Sequence, residues 1–148
     1  MTEENNVIIS IKSKQSFDGT GDDTIELVTE GLLLRDREGY TLSYQESEVT
    51  GLEGTRTVIR AEGDLVTLRR EGQFNSQMVF QEGRRHLSLY ETPYGALEVG
   101  IHTRRMRSTL ADTGGDIEID YHLEVDHRVA GMNLFQINVR RKPGTITQ

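Results

Sequence analysis

Five polar side chains stand at every second position between residues 118 and 126: Glu118, Asp120, His122, Glu124 and Asp126. In a β-strand that spacing puts all five on one face. Asp120 and His122, at i and i+2, offer the donor types of a divalent metal site. The competing reading is a solvated face whose carboxylates meet Arg105 and Arg107 on the preceding strand. Exposed cross-strand pairs of that kind are worth about 0.2–1 kcal/mol each and help set register. We take the second reading and assign no metal and no cofactor.

Four Arg-Arg pairs raise a different possibility: Arg69-Arg70, Arg84-Arg85, Arg104-Arg105 and Arg140-Arg141. Neighbours in a strand point to opposite faces, so one arginine of an embedded pair leans towards the interior. Arg85 shares parity with Leu87 and Leu89, and Arg70 with Val66 and Leu68. An inward guanidinium keeps its charge and needs a carboxylate or a bound anion. At a strand end it can instead snorkel to solvent. Tyr44 and Tyr121 fall on apolar faces, where their hydroxyls could orient a ligand or be satisfied within a core. Arg85, Tyr44, Tyr121 and Thr103 are therefore the candidate ligand-binding residues.

Catalytic signatures are missing. His86, His102, His122 and His127 sit in strand-like stretches, and no serine occupies a nucleophile elbow. Neither a dinucleotide fingerprint nor a Gly-Lys-Ser/Thr phosphate loop occurs. No catalytic residue is assigned; a hydrolase built from distant strands in a barrel mouth is the third choice.

These residues need elements to hold them. Ile117, Ile119, Tyr121, Leu123 and Val125 alternate with the polar five, the cleanest strand of the chain. Most other segments repeat the pattern between turn signals such as Arg35-Asp36-Arg37-Glu38-Gly39, Glu62-Gly63-Asp64, Thr92-Pro93-Tyr94-Gly95 and Asp112-Thr113-Gly114-Gly115. Asp18 to Asp23 reads as a loop, and Glu46 to Gly54 as the longest one. Gly31 suggests a bulge or bend.

Three registers follow. A turn at Glu82-Gly83 sets Met78 opposite Leu87. A loop at Val129-Ala130-Gly131 sets Val125 against Phe135, Leu123 against Ile137 and Tyr121 against Val139. Apolar positions are odd-numbered to Ile101 and even-numbered from Met106, which requires one extra residue at Arg104-Arg105. That β-bulge would let Thr103 face Leu123. No stretch sustains a helical period. Nine or ten strands spaced about ten residues apart predict an all-β, antiparallel meander that closes into a barrel to hide its edges. A two-sheet sandwich is the runner-up.

Composition bounds the rest. At 148 residues one domain is expected: residues 1–6 as a disordered N-terminus, 7–142 as the barrel and 143–148 as a tail. The absence of cysteine removes disulfides and thiol chemistry. The acidic, polar start lacks the basic-then-apolar pattern of a signal peptide, and no apolar run is long enough for a membrane helix. The cytoplasm is the expected location. A net charge of −7 disfavours nucleic acid and anionic lipid. Residues 1–64 carry 14 acidic against 6 basic side chains, a net of −8; residues 65–148 carry 10 against 11, a net of +1. The second half is the place for a local anion site.

In order along the chain, Leu42-Ser43-Tyr44-Gln45-Glu46, Gly54 with Thr57, Arg70-Glu71-Gly72, Phe80 with Gly83, and Thr92-Pro93-Tyr94-Gly95 with Leu97 form one series. Thr103, Leu110, Gly114-Gly115 and Ile117-Glu118-Ile119-Asp120-Tyr121 complete it. With these the chain resembles the YwiB-like family, a bacterial domain of unknown function, over roughly Ile9 to Val139. The resemblance implies a calycin-like barrel of 8–10 strands, of the general lipocalin shape, and no activity. The chain has no tryptophan, so the Gly-x-Trp signature of secreted lipocalins is missing. Function is therefore expected as small-molecule binding in the barrel mouth, of an amphipathic or anionic compound. The alternative is a protein–protein interaction module, or a homodimer, acting through the outer face.

Overall fold

Strict alternation of apolar and polar residues makes strands, and the computed structural model of the chain contains no other regular structure among the residues it describes. It describes residues 3–142 except 18–20, 74, 93 and 126–127; at residues 3, 17, 21 and 89–92 only the backbone is described. The strands are β1 (Glu3–Phe17), β2 (Gly21–Arg35), β3 (Tyr40–Gln45), β4 (Thr55–Glu62) and β5 (Leu65–Gly72). Then come β6 (Ser76–Gln81), β7 (Arg85–Thr92), β8 (Gly95–Ser108), β9 (Gly114–Val125) and β10 (Arg128–Arg141). All pair antiparallel in the order β6-β5-β4-β3-β2-β1-β10-β9-β8-β7. Every pair is a sequence neighbour except β1 with β10, whose ladder runs from Val7–Arg141 to Phe17–Gly131. The sheet curls into a nearly closed barrel. Among the described residues no helix is long and apolar enough to cross a membrane.

The core is the inward parity of each strand. Ile9, Ile11, Ile137, Val139, Ile117, Ile119 and Ile101 fill one side; Leu42, Ile59, Val66, Leu68 and Phe80 fill the other. β-branched residues dominate because they pack well on a pleated surface. Ile117 and Ile119 are buried as expected, whereas Tyr121, Leu123 and Val125, on the same face, are only half-buried. On the outer face Arg105 faces Asp120 and Arg107 faces Glu118, with Arg107 3.6 Å from the Glu118 carboxylate.

The expected bulge is present. Thr103 pairs with Tyr121 and Arg105 with Asp120, leaving Arg104 as the extra residue. Its role is closure. β8 outruns β7, and its extension meets the β6–β7 turn: the Gly83 amide donates to the Thr103 carbonyl, and the Thr103 amide to the Arg84 carbonyl. The Met106 amide donates to Glu82 Oε1 at 2.9 Å.

Several expectations are corrected. Thr103 faces Tyr121 rather than Leu123, a shift of two residues. Ile137 faces Ile117 rather than Leu123, because β9 runs to Val125 and β10 starts at Arg128. Val129 to Gly131 lies inside β10 and carries a bulge instead of a loop. No ladder joins β6 to β7 among the described residues; Met78 is buried while Leu87 is 57% exposed. Residues 3–6 extend β1 and pair with β2, and Gly31 sits in an unbroken β1–β2 ladder. Gly31 is needed because a Cβ there would stand 2.4 Å from the Ser43 carbonyl oxygen as β3 joins. Gly21 to Asp23, expected in a loop, open β2 and pair with Phe17 to Gln15; residues 18–20 of that loop and the expected tail at 143–148 lie outside the described residues.

An antiparallel meander gathers alternate turns at opposite ends. At one end ion pairs pin the turns together. Asp36 accepts from Arg60 and from the amides of Glu38 and Gly39. Arg35 and Tyr40 both reach Asp112 in the β8–β9 turn.

Candidate functional site

Towards the opposite end, inward parity brings a mixed set of side chains around a cavity of about 310 Å³. Leu68, Met78, Phe80, Leu123 and Phe135 supply most of its apolar wall; Ser13, Gln15, Tyr121 and Asn133 supply polar tips. Arg70 is the one charged side chain among the described lining residues. Phe80 and Tyr121 meet edge to face with centroids 4.9 Å apart, which fixes the floor.

Arg70 is placed by β5, whose interior face reads Val66, Leu68, Arg70. Its cross-strand neighbours are Thr57 on β4 and Ser76 on β6. A buried guanidinium needs a counter-charge, and Glu46 stands 4.0 Å from its Nε. The Glu46 side chain is 2% exposed and that of Arg70 19%. Glu46 spends its oxygens on Thr57, which donates to Oε2, and on Thr50, which donates to Oε1 at 2.9 Å. Arg70 Nε and Ser76 Oγ are both buried and make no hydrogen bond. Burial, with the Glu46 charge nearby, pushes the Tyr44 hydroxyl well above its usual range. Tyr44 thus remains a neutral donor beside the pair.

A larger depression of about 690 Å³ lies across the outer side of β2, β1, β10, β9 and β8. On this outer face Lys12 pairs with Glu26 and Arg107 with Glu118, and Asp116 accepts from Asn138 Nδ2 at 2.9 Å. It is a solvated sheet face; the interior cavity is the better candidate because it combines apolar area with a cation whose buried Nε–H has no acceptor.

This fold and this cavity can now be set beside known proteins. A family model described as a domain of unknown function, DUF1934, matches residues 9–137. The chain belongs to the DUF1934 family. It is 26% identical over 125 residues to the uncharacterized β-barrel protein YwiB of Bacillus subtilis, covering 84% of this chain and 86% of that protein. The crystal structure of ywiB protein from Bacillus subtilis superposes with a TM-score of 0.83 at 24% identity, over 94% of this chain and 93% of the other. At that identity the likeness shows the fold alone.

Within this DUF1934 barrel the four candidate residues separate. Tyr121 lines the cavity. Thr103, its cross-strand partner, is fully buried towards the closed end, with an unpartnered hydroxyl. Tyr44 is buried behind Glu46 and Arg70. Arg85 is on the outer face. It pairs in register with His102, lies over Gly100, and donates from Nε to Glu124 Oε1 at 2.9 Å. The physical reason is the parity of β7. Its inward positions are His86 and Ser88, opposite Ile101 and Val99, while Leu87 points out. Arg70, noted by parity alone, takes the place expected for Arg85. Glu46 and Asn133 were missed, although each continues an inward alternation, Glu46 from Leu42 and Tyr44, Asn133 from Ile137 and Phe135.

Proposed function

We propose that this barrel binds a small amphipathic molecule in its open mouth. The observation that carries the reading is Arg70, the one charge among the described residues that line a mostly apolar cavity, with a buried N–H that has no acceptor. Pockets of about 300 Å³ and above, mostly apolar with a few convergent polar groups, are the usual form of such sites. Native mass spectrometry of protein purified from its own cells tests the reading. A bound mass is expected, and Leu123→Trp, which fills the cavity, should remove it. An empty protein that also fails to enhance anilinonaphthalene sulfonate fluorescence would count against it.

A second reading rests on the outer face of β7 to β10. Leu87 lies in register with Gly100, Glu124 and Val129; the next row is Arg85, His102, His122 and Met132. Leu87, Val129 and Met132 are exposed apolar groups flanking one ion pair. A concentration-dependent sedimentation coefficient abolished by Met132→Lys would favour a homodimer through this face.

A further inference from the structure

We infer that the pocket selects a singly charged carboxylate with a compact apolar body, and that Glu46 sets this selection against doubly charged phosphates. The inference rests on the proposed reading of the cavity as a ligand site.

Two observations locate the head group. Arg70 is the one charged side chain among the described residues that line the cavity, and its Nε is buried and unpartnered. Buried polar groups normally find partners, so an orphaned N–H on a cavity-lining cation marks a place where an acceptor belongs. A carboxylate there takes charge-assisted hydrogen bonds from the guanidinium.

Glu46 limits the charge. It cannot move away easily, because Thr57 and Thr50 hold both its oxygens. Nor does it satisfy Arg70, since 4.0 Å is beyond hydrogen-bond reach. A ligand anion on the far side of Arg70 feels the cation at contact and Glu46 from further away, so a net attraction survives. That attraction grows in proportion to the ligand charge, whereas the cost of taking an ion out of water grows with its square. One negative charge is therefore favoured and a second is not.

The cavity limits the body. If each buried unit takes about the 30 Å³ of a liquid water, a volume of about 310 Å³ holds on the order of ten heavy atoms. Octanoate has that size.

Calorimetric titration of the full chain with octanoate, octyl phosphate and octanol near neutral pH tests the inference. Octanoate should bind about tenfold more tightly than either of the others. Glu46→Gln should narrow the gap between octanoate and octyl phosphate. A second measurement needs no variant. Octyl phosphate changes from monoanion to dianion around pH 6. Its affinity relative to octanoate should fall as pH rises through that point. Octyl phosphate binding as tightly as octanoate at high pH, or octanol matching octanoate, would overturn the inference and leave the pocket reading standing. Binding of none of the three would overturn both.

Discussion

The amide of Gly83 donates to the carbonyl of Thr103 at 2.9 Å, tying the β6–β7 turn to the residue before the Arg104 bulge. The bulge in the β8–β9 ladder and the β6–β7 turn thus meet where no ladder joins β6 to β7 among the described residues. Deleting Arg104 should cost about 2 kcal/mol or more, through several lost backbone bonds and a shifted register. Arg104→Ala, which removes only an exposed side chain, should stay within about 0.5 kcal/mol. Urea denaturation of both variants checks this, with equal midpoints contradicting it.

Ile119 and Leu123 share one face of β9 and differ in surroundings. Ile119 is packed in the core, while Leu123 borders the cavity. Ile119→Ala should cost about 2–5 kcal/mol and Leu123→Ala about 1–2 kcal/mol. The same denaturation experiment reads both.

Arg85 and Glu124 should couple weakly. The pair is short, but the Arg85 side chain is 39% exposed against 16% for Glu124. A double-mutant cycle to alanine is expected to give about 0.5–1 kcal/mol, falling with added salt. A coupling unaffected by salt would mean that packing on Gly100, not charge, holds the arginine.

The closed end should respond to acid. Hydrogen bonds from Arg60, and next from the Glu38 amide, hold the Asp36 carboxyl well below the usual carboxylate range. A lowered folded pKa gives stability that is fully present above about pH 4 and is lost as pH falls towards the folded value. The melting-temperature gap between wild type and Asp36→Asn should therefore be flat near neutrality and close at low pH. Glu38 is shifted the other way by the hydrogen bond it shares with Glu62. Its contribution is present at low pH and lost as pH rises, so Glu38→Gln should raise the melting temperature near neutral pH. A gap for Asp36→Asn that widened in acid would refute this.

Alternation made the architecture legible and left the registers open. Parity placed Ile117 and Ile119 inside, and the parity change between Ile101 and Met106 located the bulge. Yet alternation fixes a register only to within an even number of residues, because any such shift keeps apolar facing apolar. Two of the three register errors have that form, two residues at Thr103 and six at Ile137; the third, Met78 with Leu87, fails because no ladder joins β6 to β7 among the described residues. The error at Arg85 has another cause. β7 borders the unladdered gap and turns His86 and Ser88 inward, with Leu87 left outside. Apolar residues stop reporting the interior at such an edge. Arg70 lies on β5, which is paired on both sides, and there parity held.

The ladder between β1 and β10 makes the order of synthesis matter. Ten of the eleven rungs between β1 and β10, those of Val7 to Ser16, form only after Met132 to Arg141 have been made. A nascent chain on the ribosome can build hairpins from β1 to β6 and then from β7 to β9. It carries β1 with one bare edge throughout. Joining the halves closes a loop of more than a hundred residues late and slowly. Ring closure therefore waits until β10 has emerged. A translation product stalled before β10 would present the edges of β1 and β9, besides those of β6 and β7, to whatever strands or chaperones lie nearby.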